Sequence, residues 1–382
     1  MKWMKLGDIA TYINGYAFKP AQWSTKGKPI IRIQNLNNEN TEYNYYDSEI
    51  DEKYIINNGD ILISWSASIG AYIWERGEAL LNQHIFKVKF DKIIINKNYF
   101  KYMVDIALIH SLKHMHGSTM KHLTKKVFEN IIIPVPSLEE QNKIEKLLFE
   151  AQNLIDKRKE QIELLDKLTE SIFYDMFGDP VVNNKNWEID KLGKLADLIN
   201  GDRSSKYPSG KEIVNDGILF VSTKNIVKNR FDLNFKQFIT EEKFSELRSG
   251  KLKRDDLLIT LRGTLGSCAI FNTLYDTGFI NAQLMIIRCG NKLNNIFLHN
   301  LLTNLSFTRI FISLSNGAAV KQLTGKQISN LDIPVPPLSL QIKFAEKVET
   351  IEEQKKLLEK SLNLMENNYN ALMQLAFNSN SL

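Results

Sequence analysis

Apolar and polar positions change period every few residues along most of this chain, but twice they settle into a long alternation of four and three. The first run is Ile144, Leu148, Ala151, Ile155, Ile162, Leu165 and Ile172; the second is Phe344, Val348, Ile351, Leu358, Leu362, Met365, Tyr369, Leu372 and Ala376, at the same phases. That spacing predicts two long helices, each with a coiled-coil seam. Arg158 and Lys355 interrupt the seams, and each is apolar in the other run. Such a residue either fixes the register of pairing or snorkels to water. Pro134 and Pro136 disfavour helix before the first run, and Ser137 with Glu140 forms a capping box; Pro337 serves as a first-turn proline in the second. About 40 residues of helix at 1.5 Å each is roughly 60 Å. Neither helix is apolar enough to be buried all round, so each needs a partner, and the simplest is the other. Chain order, with a domain before each helix, favours an antiparallel pair.

The two helices belong to a longer duplication. Gly117 to Phe177 returns without a gap 200 positions later as Gly317 to Phe377. Both copies carry Lys-x-Leu-Thr (Lys121, Leu123, Thr124; Lys321, Leu323, Thr324) and Ile-Pro-Val-Pro (Ile133 to Pro136; Ile333 to Pro336), then a Leu and a Gln. The period is far above that of a solenoid, so this is a duplicated half-molecule. The remainder, about 1 to 136 and 179 to 336, repeats more weakly. Leu6-Gly7 with Asn14-Gly15 matches Leu192-Gly193 with Asn200-Gly201; Asp60 to Gly70 matches Asp256 to Gly266; Asn82-Gln83 matches Asn281-Ala282-Gln283. Ile61-Leu62-Ile63 and Phe86 to Phe90 predict strands, and helices are expected near Tyr99 to Leu112 and near Phe297 to Ile312. The fold class is α+β: two mixed α/β domains alternating with two long helices.

At 382 residues, 43% apolar and 24% charged, the chain has the composition of a globular protein with more than one domain. With neither a cleavable leader nor a run of membrane-span length legible in it, the chain is expected in the cytoplasm. A net charge of +5 permits a nucleic-acid partner without requiring one. Cys268 and Cys289 lack metal-site spacing and are expected as buried thiols. No Gly-rich cofactor loop, Asn/Asp-Pro-Pro-aromatic run or phosphate loop is present, and Asp60 and Asp256 are expected as turn residues instead of general bases. His110 and His114 have the spacing of a shared metal site, with His116 and His122 close by. The second copy has Ile310, Leu314, Asn316 and Gln322 at those positions, which argues against a metal. With Lys113, Lys121, Lys125 and Lys126 nearby, the segment is either a basic surface facing phosphate or a solvated face.

The paired GxxxKxLT...IPVPxLxxQ segments, the two long helices and the exit Met176-Phe177-Gly178-Asp179-Pro180 resemble the specificity subunits of type I restriction-modification enzymes, over the whole chain. The resemblance implies target recognition domains at 1–136 and 179–336, a central conserved helix at 137–178 for spacing and docking, and a C-terminal conserved helix at 337–382. It implies that each recognition domain reads half of a bipartite sequence in double-stranded DNA. It implies further that the helices dock two methyltransferase (modification) subunits, and restriction subunits for cleavage. S-adenosylmethionine, the donor for methyl transfer to adenine N6, would then sit in the modification subunits, and this chain would be non-catalytic, without cofactor or metal. Independently of the family, two unlike domains on a stiff rod would read two unlike half-sites at fixed separation.

Direct readout needs paired donors or acceptors on loops that reach a groove. Ser64, Trp65, Ser66 and Ser68 lie opposite Thr260, Leu261, Arg262 and Thr264, so one scaffold position carries Ser in one domain and Arg in the other. The alternative is that Trp65 is core and the hydroxyls fasten a turn. Lys121 and Lys321 recur while their neighbours vary, as phosphate contacts would, or as partners of the adjoining helix. Tyr16, Lys19, Arg203 and Lys206 follow the Asn-Gly turns and complete the candidates. Rival expectations are a specificity subunit of a related methyltransferase-nuclease, a self-sufficient methyltransferase or nuclease, and a coiled-coil scaffold without DNA specificity.

Overall fold

The computed structural model describes residues 2–38, 40–66, 68–113, 124–202, 204–315 and 322–378. Two compact units emerge, Met1–Lys159 with Lys360–Leu382, and Glu160–Glu359. Each holds one mixed domain and part of each long helix.

In the first unit an antiparallel sheet runs in the order Thr11–Asn14, Ile85–Lys89, Ile61–Ser64, Gly70–Ile73. A second sheet has the order Asn44–Tyr46, Lys28–Ile31, Ala79–Leu81, Ile55–Ile56, with Lys28–Ile31 parallel to Ala79–Leu81. The apolar run Ile61-Leu62-Ile63 exists because its strand is buried on both faces. Ile61 and Ile63 belong to a core with Tyr99, Phe100 and Met103 of the helix Lys97–Lys113, whereas Leu62 packs with Ile31, Trp74 and Leu81.

The second unit repeats this topology and adds one edge strand, Ile213–Val214, to the second sheet. Its sheets run Ala196–Asn200, Leu284–Cys289, Leu257–Thr260, Cys268–Ile270, and Ile213–Val214, Phe238–Ile239, Ile218–Val221, Thr277–Ile280, Lys251–Lys253. Ile218–Val221 and Thr277–Ile280 form the parallel pair. Leu257 and Ile259 again face one core and Leu258 another. The weak sequence repeat is therefore a repeat of fold. One expected helix is broken in two: Asn295–Thr303 and Leu305–Leu314 are separated by Asn304. Asn304 has extended backbone, and its side chain accepts from Ser306 N, capping the new helix.

Each domain is closed by its ends. Lys2–Lys5 pairs with Ile132–Val135, and Ile189–Lys191 with Asp332–Pro334. Directly after come the long helices, Leu138–Phe177 and Leu338–Asn378. The capping box is present: Ser137 N and Oγ both donate to Glu140 Oε2 at 3.0 and 2.9 Å, and Glu140 N donates to Ser137 Oγ at 3.3 Å. At the exit, Gly178 has φ of 76° and an added Cβ would lie 2.0 Å from Asn184 Oδ1, so only glycine fits there.

The glutamine opening each helix is buried and fastens it to its domain. Gln141 Nε2 donates to Pro136 O at 2.9 Å while its Oε1 accepts from Asn96 N, next to the helix Lys97–Lys113. Gln341 repeats both bonds, to Pro336 O at 2.8 Å and from Asn294 N at 2.9 Å, and adds Lys292 O at 3.0 Å. The repeat thus preserves a joint.

Within the first unit, Ile144 and Leu148 share a core with Tyr369, Leu372 and Ala376, and Lys159 pairs with Glu366 at 2.9 Å. Within the second, Phe344 meets both Phe173 and Phe177, and Lys355 pairs with Asp166. In each unit, ascending numbers on one helix meet descending numbers on the other, so the contacting segments run antiparallel. Ile155 and Ile351 are buried; Ala151, Ile162, Leu165, Ile172, Leu358, Leu362 and Met365 are half-buried. Phe173 and Phe177, outside the predicted seam, are buried because this end of the helix also packs on its domain, with Phe173 stacked on Phe297 at 5.9 Å. Among the described residues no helix is long and apolar enough to cross a membrane.

Candidate nucleic-acid interface

Two of the matched anchors meet in space. Tyr16 N donates to Leu81 O and Gln83 N to Tyr16 O, which seats the Asn14-Gly15 turn on Asn82. A Cβ on Gly15 would stand 2.1 Å from Asn82 O, and on Gly201 2.7 Å from Asn281 O. Glycine is required in both domains because the backbones touch. Asn82 corresponds to Asn281: Ile85 N donates to Asn82 O and Leu284 N to Asn281 O, both at 3.1 Å. Gln83 therefore corresponds to Ala282, and His84 to Gln283.

The hairpin tip beside this junction carries the main predicted contacts. Ile61 pairs with Ile73, but Leu257 pairs with Ile270, so the second hairpin is one residue longer. The gapless match from Asp60 to Gly70 holds only up to the tip and then slips by one. Ser64 is fully buried, and its Oγ donates to Ser66 O at 3.1 Å; Thr260 Oγ1 likewise donates to Thr264 O. These two hydroxyls fasten the turn. Ser66 is buried, whereas Ser68, Arg262 and Thr264 are exposed. Trp65 is half-buried, stacked on Phe86 at 5.9 Å and set against His84 at 5.3 Å. Arg262 Nε donates to Gln322 Oε1 at 3.0 Å, which brings it beside the residue that follows Lys321.

Asp60 and Asp256 are turn residues that also hold a cation. Asp60 Oδ2 accepts from Asn57 N and pairs with Lys87 at 2.7 Å; Asp256 accepts from Lys253 N and takes Arg288 through both carboxylate oxygens, at 2.8 and 2.7 Å. Tyr16 stands in an aromatic group with Phe18 and Tyr54, and Lys19 and Lys206 are exposed. Lys121, Arg203 and Lys321, together with His114, His116 and His122, lie outside the described residues. His110 is half-buried against Phe377. Among the described residues no group of three His, Cys, Asp or Glu could hold a metal. Burial drives the Cys268 thiol far up and the Cys289 thiol up to about 12, so both stay protonated and unreactive.

Sequence reasoning missed a third matched element. Arg32 N donates to Asn35 Oδ1 at 3.1 Å and Ser222 N to Asn225 Oδ1 at 2.9 Å; both asparagines are fully buried and return Nδ2 to two carbonyls farther along. The shared asparagine holds a tight turn whose other positions differ: Arg32 against Ser222, Gln34 against Lys224. In the first unit this turn and the Asn82 junction flank an open cleft of about 190 Å³ lined by Arg32, Ile33, Gln34, Asn82, His84 and Ile85. Its only signal in the sequence was one asparagine per copy.

A family model described as type I restriction modification DNA specificity domain matches residues 1–164 and 184–367. The chain is 24% identical over 388 residues to the type I restriction enzyme EcoBI specificity subunit of Escherichia coli, covering 94% of this chain and 81% of that relative. It is 26% identical over 320 residues to the MjaVIII specificity subunit of Methanocaldococcus jannaschii, covering 79% and 74%. Among solved structures, the S subunit of the type I restriction-modification system of M. genitalium aligns with a TM-score of 0.56 at 13% identity, over 100% of this chain and 96% of that one. A chain from a study of complex assembly and conformational transition in the type I R-M system aligns at 0.62 and 16% identity, over 100% and 98%. At these identities the structural likeness speaks for the fold.

Proposed function

Because the chain belongs to the family of type I restriction modification DNA specificity domains, we propose that it is the specificity subunit of a type I restriction-modification complex and reads an asymmetric, bipartite DNA target. One observation carries this reading: the two domains share topology and shaping residues, Gly15 with Gly201 and Asn35 with Asn225, but differ at the loop positions those residues present. Two readers built alike and equipped differently would recognise two unlike half-sites. Loops that position differing polar and aromatic side chains beside one another suit reading of base edges, with phosphate contacts setting orientation.

In this reading the long helices pair as an antiparallel coiled coil, fix the separation of the half-sites and dock two adenine methyltransferase subunits. Restriction subunits join for cleavage. S-adenosylmethionine belongs to the methyltransferase subunits, and this chain contributes targeting without a cofactor. The antiparallel contacts within each unit and the buried glutamine joints support a stiff connection between reader and rod. The experiment is to map methylated adenines in DNA from cells that express this chain with its modification subunit. The expected motif has two unlike halves flanking a fixed number of unread base pairs. A palindromic motif, or a single contiguous one, would contradict the reading.

A further inference from the structure

Two of the residues that line the cleft on the first domain, Arg32 and His84, each carry a buried polar atom that the protein does not satisfy. Arg32 Nε and His84 Nδ1 are shut off from solvent, yet neither has a hydrogen-bond partner among the described residues. Buried groups of this kind cost free energy unless something pairs with them, and in native structures each needs an explanation. Arg32 is also held in place from outside. Its guanidinium carbon lies 5.3 Å from the centroid of the Trp23 ring, and Trp23 is 39% exposed. A cation over an indole face is oriented without its donors being consumed. Among the described residues no carboxylate pairs with Arg32. The other arginine of this domain, Arg76, is by contrast engaged: it donates to Tyr43 Oη and Asn35 O and lies over Trp74.

Internal comparison separates scaffold from reader at this place. Asn35 and Asn82, which shape the two turns, recur as Asn225 and Asn281. Arg32, Gln34 and His84, which line the cleft between the turns, are replaced by Ser222, Lys224 and Gln283. A residue needed for folding would be expected to recur with the fold it supports, and these do not.

We infer that Arg32 is a specificity-determining residue that reads a guanine in the half-site recognised by the first domain, with His84 completing the same polar pocket. The inference rests on the proposed function and names a residue and a base for it. The terminal nitrogens of Arg32, Nη1 and Nη2, have no hydrogen-bond or ion-pair partner among the described residues, and such a fork matches the O6 and N7 acceptors of guanine in the major groove, the commonest specific arginine contact. The Trp23 ring beside it restricts where that fork can lie.

The test uses the purified complex of this chain with its modification subunit and a set of duplexes carrying single base-pair changes through both half-sites, in competition with non-specific DNA. For the unaltered chain, replacing one guanine of the first half-site is expected to weaken binding about 10- to 100-fold. With Arg32→Gln, the cognate duplex is expected to fall to that level and the penalty at that one position to vanish, while every penalty in the second half-site stays. Arg32→Lys, which keeps the charge but not the fork, is expected to lose the same preference while binding more tightly than Arg32→Gln. Retention of the guanine preference in both variants would overturn the inference. So would a loss of preference in the second half-site, or uniform weakening at all positions, which marks a phosphate contact. Absence of any bipartite preference in the unaltered complex would sink the functional reading itself, a result distinct from these.

Discussion

Gln141 and Gln341 show what a repeated residue can mean. Each is buried, and each joins the start of a long helix to the start of a shorter one. Their recurrence was visible in the sequence, but their role was not, because the partners lie 45 and 47 positions away. Gln341→Ala removes three hydrogen bonds and leaves buried backbone groups without partners. The expected cost is about 2–4 kcal/mol, measured by urea denaturation; a change below about 0.5 kcal/mol would contradict the joint. Residue-level reading of the interface was less complete. Matched hydroxyls at Ser64 and Thr260 look like readers in a linear alignment, but both are spent on holding the turn. Arg32 had no signal of its own: the flanking sequences have diverged, and only the buried Asn35 ties it to an equivalent position.

At the scale of elements, the long helices were the most legible part of the chain. Period, capping box and proline positions define their starts to within a residue, since these signals are local. The seam was less so. A helix that packs on its own domain at one end and on another helix along its length does not keep one buried stripe, which is why Phe173 and Phe177 are buried outside the predicted positions. The single helix expected near Phe297 to Ile312 is two, because Asn304 caps a second start in mid-pattern. Of the two basic interruptions, Lys355 does not snorkel: it is 1% exposed, bonded to Asp166 and 3.4 Å from Glu352. An ion pair with one buried member adds little net stability, but loss of the exposed carboxylate strands the buried ammonium. Lys355→Leu is therefore expected to leave stability within about 1 kcal/mol. Asp166→Ala is expected to lower it by about 1–2 kcal/mol, moderated because Asp166 is 64% exposed and Glu352 remains. Thermal denaturation of the two variants checks the order; if Lys355→Leu were the more damaging, the pair would be a main support of the helix contact.

At the scale of the whole molecule, duplication divides the chain by task. The segment that repeats without a gap supplies the strand closing each domain, the glutamine joint and the long helix. The segment that has drifted supplies two domains of one topology whose surface positions differ. This division follows from physics: a rod and its joints tolerate few changes once buried contacts span them, whereas loops on a finished scaffold accept substitutions without disturbing it. On the proposed function, the two domains should be separable in what they recognise. The most direct measurement is to replace residues 1–136 with the corresponding domain of another family member, express the hybrid with its modification subunit, and map the methylated adenines. The predicted result is a motif in which one half changes while the other half and the spacer length stay as they were. A change in both halves, or in the spacer, would contradict the modular account.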